Sequence, residues 1–404
     1  MVFLGLDPTK LKKYLGLKRE FASKEYINLN PIQRGGILTE EARKALVEFG
    51  DGYSVCDWCP PKTPRLDMVT RPPIHDFMVD LASFLNMDVV RVVTRCREAK
   101  FIIFHMLGKP GDYVVIDSLA HYTTYLAAEA TGLKIKEVPH NGYPEYKINL
   151  NTYAEKIEEV KKETGKLPVA ALLTHVDSFY GNLNDASKVA KICHEYGVPF
   201  ILNAAYTAGV MPINGKSLMI DGLVGSGHKS WAASAPTGIL ALTEELSKKI
   251  LVRSKIVGDW SGRHFPIKEL PLLGCTVMGA PIISLMASFP HVVERVKKWE
   301  EEIKKARYLV EQLEKIEGTK QLGVKPKQHT LIHVESLGFQ KIAETHKRRG
   351  FFLYDELKKR KIVGIQPGLT RHFKFNVYGL TWDEIKYVAE SFLDIAKKYG
   401  LSVG

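Results

Sequence analysis

Cysteine is scarce, five residues in 404, and no secretion signal accompanies them, so a disulfide framework is excluded as the source of stability. Long apolar runs are missing too. None approaches the ~20 residues needed to cross a bilayer, and Met1-Val2-Phe3-Leu4-Gly5-Leu6-Asp7 lacks the charged-then-apolar order of a leader. A cytoplasmic protein with no membrane segment is expected. No internal repeat or low-complexity tract interrupts the chain. A large charge excess is also absent: 57 Lys and Arg stand against 45 Asp and Glu, a net +12. Such a balance permits nucleic-acid binding without demanding it. The basic clusters at Lys10 to Arg19, Lys248 to Lys255, Lys347-Arg348-Arg349 and Lys358 to Lys361 read first as solvated helix faces.

What is present is an ordinary globular composition in a chain too long for one core, so two domains are expected. Residues 1–71 form an N-terminal arm and a cysteine-bearing loop, 72–280 a large domain and 281–404 a smaller α+β domain. From Pro72 the pattern alternates. Strands are predicted at 89–94, 113–117, 134–138, 169–176, 199–203, 221–225 and 238–242, with helices beginning near Arg97, Leu119, Thr152, Asp185 and Ser217. Strand runs apolar on both faces and spaced by helices predict an α/β fold with a mostly parallel sheet covered on both sides. Residues 243–280 read as an irregular connector. One long helix over 283–313, a strand near 330–334, a helix over 341–360, a strand near 372–377 and a closing helix from Thr381 follow.

The chemistry concentrates around Gly225-Ser226-Gly227-His228-Lys229-Ser230-Trp231. A lysine amine becomes nucleophilic when desolvation or nearby charge lowers its pKa, and Lys229 is read as the amine that forms a Schiff base with a cofactor aldehyde. Ser226, Gly227 and His228 would hold the cofactor's phosphate. Upstream, Asn203 ends a buried strand, where open parallel sheets place ligands. It would face the pyridine nitrogen, with Ala205 on the ring. His121 follows the strand ending at Asp117 and would stack on the other face. Cys96-Arg97-Glu98-Ala99 opens a helix whose free amides, with Arg97, make a phosphate cup.

Cys56-x-x-Cys59 has metal-ligand or redox spacing, and Cys275 is the best third partner. Three thiolates suit an iron–sulfur cluster or a relay for persulfide sulfur, against the plain alternative of three unrelated thiols. Cys193 reads as core. Arg34, Arg97, Arg263 and Arg371 are candidates for contacts to an acidic substrate, each against an equal expectation of a structural ion pair. His175 and Asp177 are placed on the cofactor side of the sheet.

Taken together, Asn30-Pro31-x-Gln33-x-Gly35-Gly36, Gly50-Asp51-Gly52-Tyr53-Ser54-Val55-Cys56-Asp57-Trp58-Cys59, Arg97-Glu98-Ala99-Lys100-Phe101, Tyr180-Gly181-Asn182-Leu183, Ser226-Gly227-His228-Lys229-Ser230, Leu273-Gly274-Cys275-Thr276, Met286-Ala287-Ser288-Phe289-Pro290-His291 and Pro367-Gly368-Leu369-Thr370-Arg371 resemble the Sep-tRNA:Cys-tRNA synthase family. That archaeal family belongs to the fold-type I pyridoxal-phosphate transferases. The resemblance implies exchange of the phosphate of O-phosphoseryl-tRNA(Cys) for sulfur, with pyridoxal 5'-phosphate on Lys229 and the cofactor held by Arg97, Asn203, Ser226 and His228. It also implies that Cys56, Cys59 and Cys275 handle sulfur, as a persulfide or as ligands of an iron–sulfur cluster. A homodimer with sites at the interface, a sulfur donor and a phosphoseryl-tRNA synthetase partner are further expectations. Two rivals remain: a cysteine desulfurase or selenocysteine lyase acting on free amino acids, and a non-catalytic tRNA-binding or iron–sulfur carrier protein.

Overall fold

The computed structural model describes residues 8–17, 25–32, 34–50, 74–272 and 279–404. Its strands in chain order are β1 (Ile27–Asn28), β2 (Val89–Val93), β3 (Tyr113–Asp117), β4 (Lys134–Val138), β5 (Ala170–Thr174), β6 (Phe200–Asn203), β7 (Gly222–Ser226), β8 (Gly238–Leu242), β9 (Thr319–Leu322), β10 (Leu331–Ser336), β11 (Ile362–Val363) and β12 (His372–Asn376). Seven of them form one sheet in the order β2-β8-β7-β6-β5-β3-β4. Within it β8 alone runs against its neighbours. Helices Cys96–Leu107, Tyr122–Ala130, Thr152–Thr164 and Ala186–Glu195 follow β2, β3, β4 and β5.

Because helices cover both faces, every residue of β3, β5, β6, β7 and β8 is buried. Adjacent residues serve opposite cores: Val115, Leu173, Leu202 and Leu223 pack into one, while Val114, Leu172, Ile201 and Val224 pack into the other. The edge strand β4, Lys-Ile-Lys-Glu-Val, keeps Lys134 and Glu137 exposed, a charged rim of the kind that discourages pairing with another sheet.

Four expectations about elements fail for local reasons. No helix forms at Ser217: Asn214 Oδ1 accepts from the Ser217 N–H at 2.9 Å and closes a turn instead. The connector after β8 opens with a helix, Glu244–Ile250, capped by Thr243, and continues into an arm bridged at Arg253–Glu269 and Val257–His264. The long helix is two, Gly279–Val296 and Trp299–Glu314, and the second begins with Glu300, Glu301 and Glu302, an acidic first turn that favours a fresh start. The helix over 341–360 is also two, Leu337–Thr345 and Phe351–Lys359. Between them His346 Nδ1 accepts the Arg348 N–H at 3.0 Å, and a side chain at Gly350 would collide with the Gly368 carbonyl.

Toward the C-terminus, antiparallel strands in the order β12-β10-β9 cover a separate core rich in phenylalanine, including Phe339, Phe352, Phe373, Phe375 and Phe392. The N-terminal segment joins that core. β1 pairs in parallel with β11, Leu29 is fully buried there, and Arg34 Nε donates to the Tyr378 carbonyl at 2.8 Å. Arg34 thus serves as a structural clamp.

Candidate active site

The C-terminal ends of the parallel strands converge on one cavity of about 430 Å³. Arg95, Cys96 and Arg97 reach it after β2, His121 after β3, Thr174 at the end of β5, Asn203 and Ala205 at the end of β6, and Ser226, His228 and Lys229 at the end of β7. The described residues expected to hold the cofactor all line it except Gly227. That glycine is buried behind the cavity at the start of the short helix Gly227–Ser230, where a Cβ would lie 2.7 Å from Thr237. Cys56, Cys59 and Cys275 lie outside the described residues.

The lysine segment is held from below by backbone contacts. A Cβ at Gly36 would stand 1.9 Å from the His228 carbonyl oxygen, and one at Gly35 2.6 Å from that of Lys229, so only glycine lets this turn approach. Gly209, at φ +89, approaches Ser230 in the same way. Arg295 then ties the pieces together: Nε donates to the Gly209 carbonyl at 2.8 Å, and Nη2 donates to the carbonyls of Gly35 at 3.0 Å and Ser230. Nothing in the periodicity of helix Gly279–Val296 marks this arginine as different from its neighbours.

Burial sets the electrostatics. The Lys229 amine, 4.8 Å from the centre of the Tyr206 ring, has its pKa lowered by desolvation, with Cys96 opposing. Burial, then the charges of Lys229, Lys100 and Lys374, bring His121 down to about 4. His228 is lowered by burial and by Lys229. Burial pushes the Cys96 thiol up, so it remains a neutral donor, 3.6 Å from Asn203 Oδ1. It contributes more than the backbone expected of it. Beside it Lys100, buried, falls to about 8.

These features suit a group with an aldehyde, a flat ring and a phosphate. The start of helix Cys96–Leu107 has no side-chain cap, which leaves its first amides for an anion. Gly238 packs against the Arg95–Cys96 backbone where a Cβ would come within 2.6 Å of the Cys96 nitrogen. Thr174, buried at the end of β5, lines the same cavity. A second cavity of about 750 Å³ shares His121, Ser178 and Tyr206 with the first and adds His333, His372 and Lys374 from β10 and β12.

Several sequence expectations are corrected here. His175 lies on the opposite face from Thr174 and Val176, as alternation along a strand requires. Its Nδ1 is 3.0 Å from Thr207 Oγ1, and it lines a separate cavity with His140 and Asn184. Asp177 is spent on the loop that follows, accepting from the N–H groups of Phe179, Tyr180 and Asn182. Arg371 contacts Glu335 at 3.4 Å and lines neither cavity. Arg263 is exposed in the arm, its guanidinium 5.5 Å from the Phe265 ring centre. Cys193 is core, as expected. Thr174, Tyr206, His333, His372 and Lys374 carried no sequence signal as site residues, and Lys100 was not singled out. The one available hint was Lys100, which falls on the inner face of the helix that Arg97 opens.

A family model described as O-phosphoseryl-tRNA(Sec) selenium transferase, SepSecS, matches residues 102–402. The O-phospho-L-seryl-tRNA:Cys-tRNA synthase of Methanopyrus kandleri is 55% identical over 97% of this chain and 99% of its own length. A crystal structure of a SepCysS–SepCysE N-terminal domain complex superposes with a TM-score of 0.86 at 54% identity, covering 96% of this chain and 99% of the other. The cysteine desulfurase of Thermococcus onnurineus, at 17% identity and a TM-score of 0.71 over 97% of this chain and 98% of the other, shares the fold-type I architecture.

Proposed function

As this chain belongs to the family of O-phospho-L-seryl-tRNA:Cys-tRNA synthases, we propose that it converts O-phosphoseryl-tRNA(Cys) to cysteinyl-tRNA(Cys) by replacing the β-phosphate with sulfur. It is a pyridoxal-phosphate-dependent transferase. What carries this locally is the half-buried Lys229 amine facing a cavity edged by Asn203, His121 and an uncapped helix start. When bound, pyridoxal phosphate supplies an electron sink for negative charge at Cα. Arg97, the first amides of helix Cys96–Leu107, Ser226 and His228 would hold its phosphate, with Gly227 allowing the close turn. Asn203 would meet its ring nitrogen, His121 and Ala205 its two faces, and Lys229 its aldehyde.

Lys229, its amine favoured in the neutral form by burial, takes the Cα proton as general base. Asn203 is an uncharged amide and does not hold the ring nitrogen protonated as a carboxylate would. This suits a reaction whose leaving group departs as soon as the proton is lost, and it disfavours amino-group transfer. Arg97, with Lys374 at the mouth of the second cavity, neutralises the departing phosphate. The larger cavity, with His333, His372 and Lys374, receives the acceptor end of the tRNA. Cys56, Cys59 and Cys275 are assigned the delivery of sulfur, as a persulfide relay or as the ligands of an iron–sulfur cluster, and a sulfur donor reloads them.

A free amino acid would need a cation for its carboxylate. Arg371, the candidate, lies 3.4 Å from Glu335 and lines neither cavity, which favours an esterified substrate over the free cysteine of a desulfurase. The protein is further proposed to be a cytoplasmic homodimer. Its arm exposes Ile256, Val257, Trp260, Phe265, Ile267 and Leu270, a surface suited to a second copy. A protein partner of the SepCysE kind, or a phosphoseryl-tRNA synthetase, completes the expected assembly. The test is incubation of the purified protein with O-phosphoseryl-tRNA(Cys) and sulfide. Formation of cysteinyl-tRNA is expected, and release of alanine from free cysteine in its place would overturn the proposal.

A further inference from the structure

Lys100 is 1% exposed, and its Nζ donates to two hydroxyls, Thr123 Oγ1 at 2.7 Å and Thr124 Oγ1 at 2.9 Å. A lysine ammonium has donors and no acceptor. The Thr123 oxygen therefore receives a hydrogen, and its own O–H is left to give. His121 Nδ1 lies 3.0 Å from that oxygen. The backbone N–H of Thr123 is directed at the same nitrogen, at 3.4 Å, in the geometry by which His121 caps helix Tyr122–Ala130. Two donors thus aim at Nδ1, and a nitrogen that accepts cannot carry the proton in the neutral ring.

We propose that Lys100 and Thr123 are positioning residues that lock His121 in the Nε2–H tautomer, so that the ring donates a hydrogen bond at Nε2 and does not take a proton there. The ring stays neutral because it is partly buried and because the titratable groups acting on it among the described residues are all basic and oppose a positive charge there: Lys229 from the segment after β7, Lys100 from helix Cys96–Leu107 and Lys374 from β12. Ring and phenol also sit close, the His121 and Tyr122 ring centres being 4.3 Å apart, which limits rotation of the imidazole. His121 lines both cavities. An Nε2–H on the ring edge remote from Thr123 is placed to meet an oxygen of the bound substrate, either the leaving phosphate or the ester carbonyl. Proton removal is then left to Lys229 alone. What the donor meets rests on the proposed reaction, whereas the tautomer itself does not.

The test is a long-range 1H–15N spectrum of the cofactor-loaded protein labelled at histidine, with the His121 signals assigned by their loss in His121→Gln. The expected result between pH 6 and 8 is a bare, accepting Nδ1 and a protonated Nε2. Thr123→Val keeps the side-chain shape and removes the hydroxyl. It should produce a mixture of tautomers and lower kcat about tenfold, the worth of one hydrogen bond to a reacting group, with KM little changed. Thr123→Ser should restore both readouts. A protonated Nδ1 in the unaltered protein, or a Thr123→Val spectrum identical to it, would overturn the inference. Failure of the unaltered protein to form cysteinyl-tRNA would refute the proposed function and leave the tautomer standing.

Discussion

Two places in this chain gather positive charge, and they are built in opposite ways. In the C-terminal part the Glu356 carboxylate, its side chain 4% exposed, receives Lys359 at 2.7 Å, Lys398 at 2.8 Å and Arg360 at 3.1 Å. At the ends of the parallel strands Lys100, buried, and Lys229, half-buried, have hydroxyls, a ring and a thiol for company. No ion pair to either lysine occurs among the described residues. In the first cluster burial alone would raise the carboxyl, yet the bonds from Lys359, Lys398 and Arg360 bring it to about 2. In the second, burial lowers both lysines, and the opposing pull of Cys96 on each, with Asp117 on Lys100, does not restore them. A desolvated cation without an anion costs stability. Its persistence at the mouth of a cavity marks where an anion arrives from outside.

The contrast can be broken most severely at Lys229. Lys229→Ala should lower turnover by more than about 10³-fold, since one residue is both attachment point and base. It should also abolish the visible absorbance of bound pyridoxal phosphate, while thermal unfolding of the protein without cofactor stays close to that of the unaltered chain. A spectrum that survived the change would remove Lys229 from the site. Next is the clamp beneath it. Arg295→Met exchanges donors to three carbonyls for an apolar chain and should cost about 3 kcal/mol, read as a lower denaturant midpoint.

Glu356→Gln sharpens the other half of the comparison. It should cost about 2 kcal/mol, the low end for a buried pair because two of its three partners are half exposed or more. The sign with pH is fixed by the depressed carboxyl. Its stabilisation is complete above about 4.5, its ordinary value, and is lost as the pH falls through about 2. Chemical denaturation between pH 5 and 2 should show that slope in the unaltered protein and a reduced one in the variant. The smallest effect is expected for Arg371→Ala, less than about threefold in kcat/KM for O-phosphoseryl-tRNA(Cys). A loss above about a hundredfold would return Arg371 to the substrate and reopen the free-amino-acid reading.

The fold was legible wherever apolar runs and their polar ends coincide. Val114 to Ile116, Leu172-Leu173 and Ile201-Leu202 announce strands buried on both faces, and the residue closing each run, such as Asn203, marks the edge where ligands bind. The arrival of His121, Arg97, Asn203 and Lys229 at one cavity follows from that rule. Helix breaks were hidden because hydrophobic spacing continues across Lys298 and Gly350, where capping and backbone collisions decide. His175 was misplaced by reading a strand end as one surface when successive residues face opposite sides. Lys100 and Arg295 escaped because a helix pattern says which face is buried, while a buried cation is told from a solvated one by partners distant in sequence. His333, His372 and Lys374 belong to strands of the other sheet, and only the packing of the two sheets brings them near His121.

The segment from Ile27 to Gly36 is fastened at both ends to different things: β1 is zipped to β11 and Arg34 to Tyr378, while Gly35 and Gly36 press on the backbone of His228 and Lys229. It works as a tie-rod between β11 with Tyr378 and the catalytic amine. A rocking of the C-terminal layers over the cleft would be felt at Lys229 through some ten residues of backbone. During synthesis this segment must also wait, unpaired, until Ile362, Val363 and Tyr378 emerge to receive it.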